Sequence, residues 1–262
     1  MTPPRVNPIV TTRPSIARVQ NWLLRDTENY APDRRLGLAL AEAAPWYPGT
    51  VRDTRAGMPA AVMHLVSTLG IRQIIDLGCG LPSRAPAPTV YSVARSVLPT
   101  ARVVYVDHDP HVMAHAATVL VESDATSAIS ADLRTGLGLC PGMLCRYLDL
   151  EQPIGVLCRD LLPWLTDTEA AGLLSLLREQ LSPGSAVSIV HVASDAAPRG
   201  AQLLAELYGQ AGIEFRPRTF AQLDRLLDAW RIGLRERAAT PCVYEVVAHI
   251  PTNRTLTAGG GS

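Results

Sequence analysis

The chain of 262 residues contains no lysine: all 24 of its basic side chains are arginine, and 24 aspartates and glutamates balance them to zero net charge. It therefore lacks the basic excess that marks proteins devoted to nucleic acid, and nucleic acid is disfavoured as a partner. A local arginine patch could hide in a neutral total, so an RNA substrate stays as an alternative. Long apolar runs are also missing. Nothing approaches the roughly 18 apolar residues of a membrane span, and the opening MTPPRVNPIV has neither the charged start nor the apolar run of a leader. The cysteines, Cys79, Cys140, Cys145, Cys158 and Cys242, form no C-x-x-C pair and no Cys/His spacing suited to zinc. No metal is expected, and the odd thiol count fits a reduced, cytoplasmic protein without contact with membranes.

What the chain does have is apolar material, 47% of its residues, enough for one large core. Three helical patterns come first: PSIARVQNWLL with Ser15 as cap, RRLGLALAEAA stopping near Pro45, and a third running from Asp53 to Gly70. Seven strand-like runs follow, at 72–77, 101–107, 127–132, 154–158, 185–192, 231–236 and 243–250. Helical signals lie between several of them, including a helix with Pro110 in its first turn and a Thr166/Glu169 capping box. Alternation of this kind predicts an α/β, Rossmann-like fold: a seven-stranded, mostly parallel sheet with one antiparallel edge strand and helices on both faces. The expected organisation is an N-terminal helical lid over 1–60, a core over 61–252 and a disordered tail, TAGGGS included, over 253–262.

The segment IIDLGCGLPS places Asp76, Gly78 and Gly80 at the carboxyl end of the first strand, where such sheets bind ligands. The glycines let backbone approach a ligand closely. A carboxylate there opposes a pyrophosphate but suits a cationic group. The second strand ends at Asp107 in VVYVDHDP, the usual position of a ribose-binding carboxylate. The third ends at Asp132 in SADLR, with Leu133 beside it, in place for an adenine. A ribose, an adenine and a cationic amino-acid tail together describe S-adenosylmethionine. An NAD site competes, but its third glycine is replaced by Ser83 and the loop LPSRAPAP is too proline-rich to open a helix at once.

With these landmarks, and with PSIARVQNWLL, NYAPDR and LSPGSAVSIVHV, the chain resembles, from about Pro14 to Pro251, a family of actinobacterial S-adenosylmethionine-dependent methyltransferases first catalogued as a domain of unknown function. The resemblance implies a class I methyltransferase fold, S-adenosyl-L-methionine as cofactor, and N-terminal helices lying over it as a lid. It also accounts for Leu81-Pro82 in place of a third glycine. Methyl transfer by in-line displacement to a small-molecule acceptor, in specialised metabolism, is the expected activity. An RNA methyltransferase and a non-catalytic S-adenosylmethionine-binding protein are the alternatives, and a homodimer is left open.

After the fourth strand the family carries apolar residues and a histidine, whereas this chain reads CRDLLPWL. Arg159 and Asp160 thus stand where the acceptor borders the cofactor. Strand alternation sends them to opposite sides, with Asp160 expected in the cavity and Arg159 tied to a helix end or an opposite charge. Asp160 and His191 are the candidate catalytic groups. Arg18, Trp22, Asn29 and Tyr30 are candidate lid contacts, and Arg159 an alternative substrate contact. His108 follows the ribose carboxylate and is a candidate cofactor contact, although it and His111, at the start of the next helix, also read as solvated surface residues.

Overall fold

The computed structural model describes residues 9–83, 87–135, 139, 141–237 and 242–250. Its strands are β1 (Gln73–Leu77), β2 (Arg102–Asp107), β3 (Thr126–Ser130), β4 (Ile154–Arg159), β5 (Ala186–Val192), β6 (Arg231–Arg237) and β7 (Val243–His249), so each of the seven strand-like runs forms one. They make one sheet in the order β3-β2-β1-β4-β5-β7-β6. The first five are parallel, β7 is antiparallel to both β5 and β6, and the β6–β7 pair closes one edge. The order reverses between β1 and β4, which opens a crevice above their carboxyl ends. β5 is buried along its whole length and β4 along all but its last residue, as expected of parallel strands covered on both faces.

Three helices precede the sheet: α1 (Ile16–Leu23), α2 (Ala31–Ala43) and α3 (Tyr47–Ala56), followed by α4 (Met58–Met63) with a π-helical turn at His64–Thr68. The Ser15 hydroxyl caps α1 as the sequence indicates. The third helical pattern is corrected in two ways. It starts earlier, at Tyr47 with Pro48 in its first turn, and it breaks at Gly57, where Pro59 starts a new helix and has no N–H to continue the old one. Along the sheet lie α5 (Val90–Val97), α6 (Pro110–His115), α7 (Pro141–Leu144), α8 (Asp167–Gln180), α9 (Pro198–Gln210) and α10 (Phe220–Leu226). The capping box of α8 forms, with Thr166 Oγ1 accepting from Glu169 N and the Glu169 carboxylate accepting from Thr166 N.

Apolar clusters fill both faces of the sheet. A third joins Val19, Leu23, Leu40, Tyr47 and Val51 of the N-terminal helices to Trp164, Tyr208 and Phe215. Those helices are therefore seated on the core beside the carboxyl end of β4. The expected tail over 253–262 falls outside the described residues.

Candidate active site

After Leu77 the chain makes a left-handed turn at Gly78 (φ 66°) and another at Gly80 (φ 65°), conformations that cost glycine little. The N–H groups of Gly78 and Cys79 donate to the Val106 carbonyl at 2.8 and 3.2 Å, which ties the turn to the end of β2. A side chain at Gly78 would meet Leu161 Cδ1 at 3.0 Å. Gly80 N donates to Asp107 Oδ2 at 3.1 Å, while Asp107 Oδ1 accepts from His108 N and Asp109 N at 2.7 and 3.0 Å. Burial raises the Asp107 pKa, and these N–H donors oppose the rise. Asp76 is pushed up to about 6 by burial, with Arg55 and Arg159 pulling the other way. The turn and both carboxylates border one cavity of about 900 Å³ over the crevice, a size suited to a cofactor with a second ligand.

The cavity also reaches His108, Leu133, Arg159 and Asp160. His108 is half-exposed, its Nδ1 3.7 Å from Asp107 Oδ1. Leu133 is buried and gives an apolar wall. Asp132 departs from the expectation: its neighbours border the cavity, but its carboxylate is turned to a bidentate pair with Arg134 (2.8 and 2.7 Å), which lowers its pKa.

Asp160 and Arg159 both border the cavity, so the prediction of opposite sides is corrected. The reason is local. β4 ends at Arg159, and Asp160 takes φ 56°, outside the pleat on which alternation depends. Arg159 donates to Glu245 Oε1 at 2.8 Å and to the Thr54 carbonyl near the end of α3 at 2.9 Å. Asp160 Oδ1 is buried without a hydrogen-bond partner among the described residues. Burial raises the Asp160 pKa to about 7 despite Arg159. Nearby, Gln20, itself on the cavity wall, donates to Tyr47 Oη at 3.0 Å, and Tyr47 Oη lies 3.1 Å from Tyr208 Oη.

His191 is away from the cavity. It is 0% exposed, its Nδ1 is 2.6 Å from the Val192 carbonyl and its Nε2 3.2 Å from an Arg218 nitrogen. Since arginine only donates, Nε2 is the acceptor and Nδ1 carries the proton. Burial and Arg218 lower the pKa to about 3. This satisfied core histidine touches nothing in the cavity.

The four lid candidates are also used within the fold. Arg18, 2% exposed, pairs with Asp33 at 2.8 Å and donates to the Val10 and Arg13 carbonyls. The Trp22 ring packs on Gly37, where a Cβ would collide with it. Asn29 is buried and donates to Asn21 Oδ1 and the Asp26 carbonyl. Tyr30 starts α2, its ring under the Arg18 guanidinium. None of them borders the cavity. The N-terminal residues that do include Gln20, Asn21 and Arg55. Arg55 donates to the Leu81 carbonyl at 2.8 Å. Sequence reasoning missed it because its helix had been given no position relative to the glycine turn.

A family profile described as S-adenosyl methyltransferase matches residues 4–236. No curated protein matches the sequence. Among solved structures, a DUF574 family protein from Streptomyces avermitilis is similar with a TM-score of 0.86 and 26% identity, covering 93% of this chain and 100% of that one. Human N-acetylserotonin methyltransferase in complex with S-adenosylmethionine (TM-score 0.50, 18% identity, 83% and 56% of the two chains) shares the fold. So does mitomycin 7-O-methyltransferase (TM-score 0.54, 14% identity, 88% and 60%).

Proposed function

The chain belongs to the S-adenosyl methyltransferase family, and from that premise we propose that it methylates a small-molecule acceptor held at the Asp160 end of the cavity. The cofactor is S-adenosyl-L-methionine, which supplies a methyl group already activated on a sulfonium. The residues present fit it. Gly78 and Gly80 keep side chains out of the turn, Asp107 is the carboxylate for ribose hydroxyls, and Asp76 offsets the positive charge. Leu133 gives an apolar wall to the adenine, His108 flanks the ribose carboxylate, and Arg55 at the glycine turn suits the methionine carboxylate.

The observation that carries the acceptor site is Asp160 itself, a residue that lines the cavity and whose Oδ1 is buried without a hydrogen-bond partner among the described residues. A buried acceptor atom without a donor is costly, and a small shift of the Asp160 carboxyl group toward a hydroxyl or amine of the substrate would give it one. With a pKa near 7, Asp160 is suited to orient that group and take its proton as transfer proceeds. Arg159, held by Glu245 and Thr54, positions the strand end. Trp164, Val51 and Leu24 provide apolar wall for the body of the acceptor.

Charge on the described walls favours a small molecule over RNA: five arginines stand among six carboxylates, not the continuous basic surface a polyanion needs. We read that acceptor as a molecule of specialised metabolism. The test is transfer of labelled methyl from S-adenosylmethionine to a panel of small phenols, hydroxy acids and amines, beside transfer to tRNA and rRNA. Labelling of a small molecule is expected; labelling of RNA alone, or of nothing in the presence of bound cofactor, would overturn the proposal.

A further inference from the structure

His111 and His115 lie four residues apart on one continuous helical stretch, which places them on the same face. Their ring centroids are 4.9 Å apart. Glu28, in the loop between α1 and α2, faces both: its Oε2 is 3.5 Å from His115 Nε2 and 3.9 Å from His111 Nε2. One donor atom from each of the three side chains lies within 4.8 Å of the others. His111, expected to be solvated, is only 5% exposed. Its Nδ1 has no hydrogen-bond partner among the described residues, and its Nε2 is beyond hydrogen-bond reach of Glu28. A metal ion would be taken by Nε2, the nitrogen that faces Glu28, and would leave Nδ1 as it is, so the case for a site rests on the convergence of the three donor atoms.

We propose that Glu28, His111 and His115 bind one divalent transition-metal ion of the zinc class, fastening the α1–α2 loop to α6. Two imidazoles and a carboxylate are a known zinc donor set that leaves a fourth position to water. Two nitrogens among three donors disfavour calcium and magnesium, which prefer oxygen. Donors about 2.0–2.1 Å from a tetrahedral ion stand roughly 3.3 Å from one another. The Glu28–His115 pair is near that spacing already, and the partly exposed Glu28 side chain is free to close the remainder. Arg18, the cation nearest in effect to His111, is neutralised by Asp33. The ion would sit next to the first turn of α6, which Asp109 caps through His111 N at 2.8 Å, and Asp109 borders the cofactor cavity.

The experiment uses full-length protein stripped with a chelator and titrated with Zn²⁺ in competition with a chromophoric chelator, then with Co²⁺ as a spectroscopic substitute. One equivalent should bind, and Co²⁺ should give the intense visible absorption of a four-coordinate site. Glu28→Gln and His115→Ala, both at partly exposed positions, should each weaken Zn²⁺ by more than about ten-fold, a loss seen even for outer-shell partners. Cys145→Ser, at the exposed free thiol, should change nothing. Zn²⁺ should also slow amide exchange over residues 24–30 in the parent protein and in neither ligand variant. Substoichiometric binding, binding that survives both ligand variants, or exchange over 24–30 that Zn²⁺ leaves unchanged would each overturn the assignment. Because the readouts are metal binding and exchange, they stand or fall independently of methyl transfer.

Discussion

The Asp160 backbone carbonyl accepts the indole N–H of Trp164 at 2.6 Å, while Oδ1 of the same residue is buried without a partner. The indole bond braces the left-handed turn at Asp160, a residue that lines the cavity beside Arg159. Asp160→Asn keeps the size and removes the charge. We expect cofactor affinity to be nearly unchanged and turnover with the true acceptor to fall by about 100- to 10,000-fold, the range for loss of a general base. Isothermal titration with S-adenosylhomocysteine and steady-state rates separate the two; full activity in the variant would exclude Asp160.

The same carboxyl group gives a pH dependence. Its folded pKa of about 7 lies above its unfolded value, so between the two the native state holds the extra proton and stability falls as pH rises through that window. The rate with a hydroxyl acceptor should instead rise with pH to a plateau above about 7, since the base is then ionised. In Asp160→Asn the rate profile should lose that limb and the unfolding free energy its decline. Asp76, raised to about 6, adds a smaller decline that the variant retains.

Asp107→Ala should weaken S-adenosylhomocysteine by about ten- to more than a hundred-fold, the worth of roughly 1.5 to 3 kcal/mol for charge-assisted hydrogen bonds. Part of that loss is indirect, because Asp107 also accepts from the N–H groups of Gly80, His108 and Asp109. Asp107→Asn keeps an acceptor for those donors and should fall between the two. Equal affinity in all three proteins would place the ribose elsewhere.

Periodicity and caps carried most of the fold in the sequence. All seven strands, the Ser15 cap and the Thr166/Glu169 box depend on residues within a few positions of one another. The strand-end residues Asp76, Gly78, Gly80 and Asp107 were legible for the same reason, since parallel strands deliver their ends to one edge. What could not be read were side-chain partners distant in sequence. Arg18 was taken up by Asp33 and His191 by Arg218, and no local pattern announces such pairing; Asp132, by contrast, was taken up by Arg134 only two residues on. The left-handed Asp160 was hidden too, because alternation presumes an extended backbone.

His191 provides a check on that distinction. His191→Gln should leave the pH profile of methyl transfer unaltered, because the ring hydrogen-bonds to Val192 and Arg218 and does not line the cavity. It should change the stability profile. The folded pKa of about 3 is below the unfolded value, so the unfolded chain takes up the proton first and stability is lost as pH falls through that interval. The variant should lose this acid-side slope while being less stable at pH 7, where the amide fills the fully buried site of the ring less well. Chemical denaturation at several pH values measures both.

Arg159 is bound on two sides, by the Glu245 carboxylate of β7 and by the Thr54 carbonyl near the end of α3, and its side chain is nearly closed to solvent. The Arg159→Met variant would leave Glu245 without its cation. Breaking a buried pair from one side costs about 3 kcal/mol or more, which for a domain of this size lowers the melting temperature by roughly 6–12 °C. Removing the second charge as well, in Arg159→Met/Glu245→Gln, should recover much of the loss, because the cost lies in the stranded carboxylate more than in the missing contact. The Asp160 pKa should also rise further in Arg159→Met, since Arg159 is the charge that restrains it. The rising, acid-side limb of the rate profile should therefore move to higher pH while the affinity for S-adenosylhomocysteine changes little. A melting temperature unchanged in the single variant, or a rate profile that stays in place, would show that Arg159 supports neither the strand end nor the base beside it.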